Sequence, residues 1–311
     1  MTARIWLVWA LACVLWSSTF LFIKVGLAEI PPFTFAASRL AIAAMLLGAV
    51  ATLARHWRGV PPQEVRHILA SGVFLLGINY ALVYWGAQFV SSGVVAILQA
   101  SQPTMALLVG TALGTERLTG QRLAAVAAGL GGTGLIFGTE LGVAGARGTM
   151  GVAAVGAGAL CVALSYSWLK KHVRVATGTA VAALQCGVGL LILSGLAAAA
   201  EPAPDIGRWS PAAWTALLYL SIAASGAAFG LNYWLLRRMT ASAMLMMGVA
   251  EVPIAILLGR VVLNEPLRPG MLGGAALIAV GVVLTITGEP SAQPASRPAV
   301  GNGPPDSASG D

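Results

Sequence analysis

Ten apolar runs follow one another along the chain, at about 5–28, 33–54, 67–88, 92–114, 120–138, 149–169, 177–200, 211–236, 241–263 and 270–287. Short stretches rich in Arg, Pro and Gly separate them. Each run has the ~20 residues that carry a helix across a hydrocarbon core of ~30 Å. Lipid offers the backbone no hydrogen-bond partner, so runs of this kind form helices. The pattern predicts an all-α polytopic membrane protein with ten transmembrane helices. From Glu289 the composition turns to Pro, Ser, Ala and Gly, which predicts a disordered tail over 289–311.

The order of features recurs. LACVLWSSTF (11–20) lies over ALCVALSYSW (159–168), with Cys13 over Cys161 and Ser17 over Ser165. SSGVVAILQASQP (91–103) lies over ASAMLMMGVAEVP (241–253), with Ser92 over Ser242 and Pro103 over Pro253. Glu116-Arg117-Leu118 then corresponds to Glu265-Pro266-Leu267 after a slip of one residue. The chain therefore divides into a first five-helix repeat (1–143), a second (144–288) and the tail. Five crossings is an odd number, so the second repeat runs inverted. Inverted repeats place a substrate site near the midplane and permit alternating access by rocking one unit against the other.

Composition changes the picture in one respect. The chain is 58% hydrophobic and 9% charged, with a mean hydropathy of +0.83, against about 25% charge in soluble domains. Its net charge of +7 does not point to nucleic acid, because the basic residues sit in clusters between apolar runs. With the N-terminus inside, twelve Lys and Arg fall on the inner side and four on the outer. That bias predicts a membrane protein with both termini cytoplasmic. The run Ile5–Ile23 after Arg4 resembles a leader, but its internal counterpart at 159–168 favours a retained helix. Cys13, Cys161 and Cys186 lie inside apolar runs without metal-ligand spacing, and His56, His67 and His172 fall in basic loops. No cofactor or metal is expected.

The candidate chemistry lies within the runs. Glu251 is about ten residues from the inner end of the ninth helix, ~15 Å deep. A charge at such depth costs roughly 2.5–3.5 kcal/mol on insertion scales and reads as functional. Proton coupling requires a carboxyl that gains and loses a proton there; the alternative is a glutamic acid hydrogen-bonded between helices. Pro253 and its repeat counterpart Pro103 predict breaks in the helices that carry them. Lys24 and Arg39 lie near the outer ends of helices 1 and 2. Lys24 is within snorkelling reach of the interface. Arg39 is ~9 Å in, where either a structural partner or an anionic substrate group would hold it. Asn79, the Tyr80/Tyr84 pair, Gln99 and Gln102 on one face, and Trp16 beside Ser17 would together line a cavity for an amphipathic organic solute. Polar glue between helices and aromatic belts are the structural alternatives. Gly110/Gly114, Gly134/Gly138 and Gly226/Gly230 read as close-packing pairs.

Several of these features together resemble the EamA type of the drug/metabolite transporter superfamily, ten-helix group. They are Trp16-Ser-Ser-Thr-Phe with Lys24, Pro32 with Arg39 seven residues on, Pro103, Glu116-Arg-Leu, Pro253, Leu263-Asn-Glu-Pro-Leu, and the Gly-rich final helix, over residues 5 to about 288. The resemblance implies a permease for small metabolites, amino acids or drugs, often an exporter. The resulting expectation is a secondary transporter of small organic metabolites such as amino acids, proton-linked through Glu251. An uncoupled facilitator or drug efflux transporter of the same fold is the alternative. A membrane-embedded enzyme is remote, since the aspartates are only Asp205, Asp306 and Asp311 and no phosphate-binding loop occurs. The expected partners are the solute, the lipid bilayer, protons and a second copy of the chain, with no nucleic acid.

Overall fold

Ala, Leu, Val and Ile dominate the apolar runs, and in the computed structural model these runs form helices with no strand among the described residues. Those residues are 3–112, 119–228, 231, 235 and 241–287. Helix α1 (Ala3–Leu27) turns into α2 (Pro32–Leu53), which opens on proline at the one position where a missing N–H costs nothing. Helix α3 (Pro62–Gly86) contains a π-helical segment, Val73–Ile78. Helix α4 (Ser92–Ala112) is interrupted at Ser101. It is followed by α5 (Gly120–His172) and α6 (Gly178–Ala200). Helix α7 (Pro211–Leu218) continues as a π-helix over Tyr219–Ala227, ahead of α8 (Ala241–Leu263) and α9 (Pro269–Thr287). Among the described residues six helices are long and apolar enough to cross a membrane, and Pro269–Leu284 is a shorter apolar one. The chain is an all-α polytopic membrane protein. Glu116-Arg117-Leu118 and the tail 289–311 lie outside the described residues.

One boundary differs from the sequence expectation. A loop was expected between the fifth and sixth apolar runs, over 139–148. Helix α5 instead carries through this stretch and leaves helical geometry only at Gly145 (φ 62°, ψ −156°). Positive φ is a conformation that glycine adopts without steric penalty. Gly145 thus divides α5 into two arms.

Glutamates tie the helix ends together. The first N–H groups of a helix lack intrahelical partners and carry partial positive charge. The Glu201 carboxylate, after α6, accepts from Phe33 N (2.6 Å), Thr34 N (2.7 Å) and the Thr34 hydroxyl (2.7 Å) at the start of α2. Glu265, after α8, accepts from Ser92 N (2.8 and 3.0 Å) and Ser92 Oγ (2.7 Å) at the start of α4. Glu29, after α1, accepts from Ser210 N (2.8 Å) and Oγ (2.6 Å) at the start of α7. These two bonds hold the Glu29 carboxyl below the usual carboxylate range. At the opposite end Glu64, in α3, accepts from the N–H groups of Arg174, Val175 and Ala176 before α6 (3.0–3.2 Å). Asn264 makes the Glu265 tie possible. It takes the left-handed conformation (φ 54°) that asparagine tolerates at a helix end, and the Glu265 N–H returns to the Gly259 carbonyl at 3.1 Å.

Packing between helices relies on glycine, only partly at the positions the spacing suggested: a Cβ on Gly226 would lie 2.9 Å from Leu46 Cδ2 on α2. A Cβ on Gly134 or Gly138 would meet nothing within 4 Å. The close approaches of α5 to α9 are at Gly132, where a Cβ would lie 2.7 Å from the Gly274 carbonyl oxygen, and at Gly281, 2.8 Å from that of Ala125. Gly86 and Gly151 bring α3 onto the second arm of α5 in the same way. Which face of a helix turns inward decided the matter, and a four-residue spacing does not encode that. Gly114 and Gly230 lie outside the described residues.

Gly281→Leu is expected to separate α5 from α9 and cost about 1–3 kcal/mol, while Gly134→Leu is tolerated. Thermal unfolding of the two purified variants in detergent checks this, and equal melting temperatures would refute it.

Candidate functional site

Arg39 lies seven residues into α2, ~10 Å along the helix axis from Pro32, and its side chain is only 4% exposed. Among the described residues no carboxylate pairs with it. Its partners are neutral: Nη1 donates to the Tyr84 hydroxyl at 3.0 Å, and Nε and Nη2 donate to Ser225 Oγ at 3.4 and 3.3 Å. The guanidinium carbon sits 5.2 Å from the centre of the Tyr80 ring, within cation–π range. Tyr80 and Tyr84 stack as the i,i+4 pair the sequence predicted, with centroids 5.5 Å apart. Phe35 closes on Tyr84 edge-on at 5.5 Å. Ser225 was not foreseen. It comes from the π-helical part of α7, where its hydroxyl donates to the Leu220 carbonyl five residues back (3.0 Å). π-Helical turns cluster at functional sites, but hydropathy does not announce them. An arginine stays charged in such a place, so the cluster holds a positive charge that no protein anion among the described residues neutralises.

A second group consists of amides. The break in α4 at Ser101, two residues before Pro103, matches the interruption expected of that proline. Gln102 donates to Gln99 Oε1, and Gln99 Nε2 donates to the Val155 carbonyl on α5 at 3.3 Å. Asn79 on α3 donates to the Leu75 carbonyl at 3.1 Å, while its Oδ1 is buried with no partner among the described residues. Gly158, three residues beyond Val155, faces that oxygen, and a Cβ there would lie 2.7 Å from it. Asn79 and Gln99 therefore both lean on the second arm of α5.

Glu251 belongs to a third group, where α8 packs on α1. Its Oε1 is covered and has no hydrogen-bond partner among the described residues. Trp16 packs, half-buried, with Cys13, Leu235 and Met247. The Ser17 hydroxyl is turned to its own helix, donating to the Cys13 carbonyl at 2.6 Å. The neighbouring Ser18 makes the cross-helix contact instead, sharing a 2.6 Å hydrogen bond with the Tyr219 hydroxyl, while Phe22 stacks on the Tyr219 ring at 4.1 Å. Lys24 reaches the Gln88 carbonyl at 3.4 Å near Glu265. Pro253 departs from expectation: α8 runs unbroken through it. The proline side chain is exposed and lies on the wall of a cavity between α8 and α9.

The structure thus unites Arg39, Tyr80 and Tyr84, unites Gln99 with Gln102, and sets Glu251 and Trp16 apart on the α1–α8 side. Two described cavities lie elsewhere. One, of about 520 Å³, is between α2 and α6 with Ser38, Ser194 and Glu201 on its wall; the other, of about 560 Å³, is between α8 and α9.

Tyr84→Phe leaves a buried guanidinium N–H unpaired and is expected to cost about 1.5–3 kcal/mol. Tyr80→Phe keeps the ring face under the cation and should change stability by no more than about 0.5 kcal/mol. Melting temperatures of both variants check this order. Gly158→Ala should also lower the melting temperature, since its methyl group has to displace Asn79 or Val83; an unchanged value would contradict the packing described.

Residues 4–138 and 149–287 each match the EamA-like transporter family. The chain is 26% identical over 274 residues to a Bacillus subtilis (strain 168) protein named uncharacterized transporter YoaV, covering 87% of this chain and 92% of that one. It is 25% identical over 206 residues to protein PagO of Salmonella typhimurium, covering 66% and 67% respectively. A solved crystal structure shares the fold at a TM-score of 0.62 and 21% identity, over 91% of this chain and 96% of that one. With two matches that together span most of its length, the chain belongs to the EamA-like transporter family.

Proposed function

We propose that this transporter exports small organic metabolites such as amino acids across the cell inner membrane by alternating access, with Arg39 attracting the anionic group of the solute and Glu251 linking transport to protons. The observation that carries the reading is the Arg39 cluster: a guanidinium buried between helices, held only by neutral hydroxyls and an aromatic face. A carboxylate entering beside it adds the opposite charge and a bidentate match to the guanidinium, which the neutral acceptors Tyr84 and Ser225 do not supply. Glu251, with one oxygen unpartnered on the α1–α8 side, is the group that takes a proton on one side and releases it on the other.

Two observations support a two-unit organisation with the boundaries 1–143 and 144–288. The family matches the chain twice, at 4–138 and 149–287. The ties between α2 and α6 are also reciprocal: Glu201, after α6, caps α2, and Glu64, after α2, holds the entry to α6. Such an exchange is what an inverted pair produces, and it gives rocking motions defined anchor points at both ends. In this reading both termini are cytoplasmic, in keeping with the Lys and Arg bias.

Purified protein in liposomes, loaded with an amino-acid mixture and placed under a pH gradient, tests the proposal. Wild type should concentrate solute against its gradient, and Glu251→Gln should abolish accumulation while exchange continues. Arg39→Gln should weaken transport of carboxylate-bearing solutes at least tenfold, with Arg39→Lys intermediate. Equal, gradient-independent equilibration by wild type and Glu251→Gln would instead identify an uncoupled facilitator.

A further inference from the structure

The cavity between α8 and α9 is unlike the polar clusters. Its volume is about 560 Å³, and apart from Arg260 its wall is apolar, including Val252, Ile256, Leu257, Leu272 and Val282. It opens outward from the bundle: Leu257 is 62% exposed and Leu272 50%. Along α8 it extends from Arg260 down to Val252, eight residues or ~12 Å. Arg260 stands three residues before the end of the helix, about one turn inside it. Its side chain is exposed and has no ion pair among the described residues. Glu265, the nearest acid in sequence, has both oxygens engaged by Ser92.

We propose that this groove binds one anionic phospholipid, with the phosphate on Arg260 and an acyl chain lying between α8 and α9. The charge order is that of the lipid itself. A guanidinium fork, which matches phosphate geometry, stands one turn from the helix end, and the apolar trough continues from it toward the middle of the helix. Basic positions between transmembrane helices select anionic headgroups in this manner. An arginine that merely snorkels to the interface would favour anionic lipid without needing the trough, so it is the loss of both lipids on filling the trough that marks a groove. The groove runs along α8 past Pro253 and Val252, the residues that follow Glu251, and reaches Ala100 of α4, so the lipid would brace the helix that carries this carboxyl.

Native mass spectrometry of the detergent-purified protein, titrated with phosphatidylglycerol or phosphatidylcholine of matched chains, tests the assignment. Wild type should retain phosphatidylglycerol about fivefold more tightly, the effect of one basic residue near a charged membrane surface. Arg260→Gln should erase that preference, and Arg260→Lys should keep most of it. Ala276→Trp, which fills the trough from its exposed wall, should lose both lipids. Arg260→Gln alters only an exposed side chain and so keeps the test valid if Ala276→Trp fails to fold. The proposal falls if wild type holds both lipids equally or if the preference survives Arg260→Gln. It falls as well if glycerol phosphate competes as well as the lipid, or if Ala276→Trp converts a dimer to a monomer, which would make the groove a contact between copies.

Discussion

A helix in lipid can satisfy every backbone group except those at its ends, and the rest of this structure depends on how those ends are met. The membrane core offers no water to the first turn of a helix. Here Glu29, Glu64, Glu201 and Glu265 each reach from one helix to the start of another, or to the segment that leads into it. Each tie joins elements more than a hundred residues apart in sequence and combines hydrogen bonding with the favourable placement of an anion at a positive helix end. In a chain with only eleven acidic residues, this use of four of them leaves few to neutralise buried cations. The isolation of Arg39 follows from that allocation.

Arg39 and Glu251 show two ways in which an ionisable group sits inside an apolar bundle. The guanidinium is surrounded by acceptors that hydrogen-bond it without cancelling its charge. The carboxyl of Glu251 has an oxygen with no partner at all among the described residues. Neither arrangement is one that stability alone would favour, since unpaired buried polar groups are costly. In the proposed transport cycle these are the two groups whose missing partners the solute and the proton would supply.

The π-helical segments and glycine contacts explain how the bundle brings these groups together. In α7 the wider π turn redirects Ser225 toward Arg39 and Tyr219 toward Ser18 on α1. At Gly132, Gly274 and Gly281 the backbones of α5 and α9 meet with no side chain between them. Close backbone approach of this kind replaces the hydrophobic driving force that soluble bundles have and membrane bundles lack.

The sequence by itself determined the helical membrane fold, the approximate limits of the spans and the residue types that carry chemistry. Hydropathy over twenty residues is a local property, and position along a run alone shows that Arg39 and Glu251 sit where an ionisable group needs a partner or a function. The Tyr80/Tyr84 stack was legible for the same reason, because a four-residue spacing on one helix fixes it. The tertiary structure alone decided that Ser18 and not Ser17 bridges to Tyr219, that Gly132 and not Gly134 lies at the α5–α9 contact, that α8 continues through Pro253, and which helix end each glutamate meets. All of these depend on the rotation and tilt of each helix about its axis. Packing against neighbours sets those angles, and no window of apolar residues specifies them.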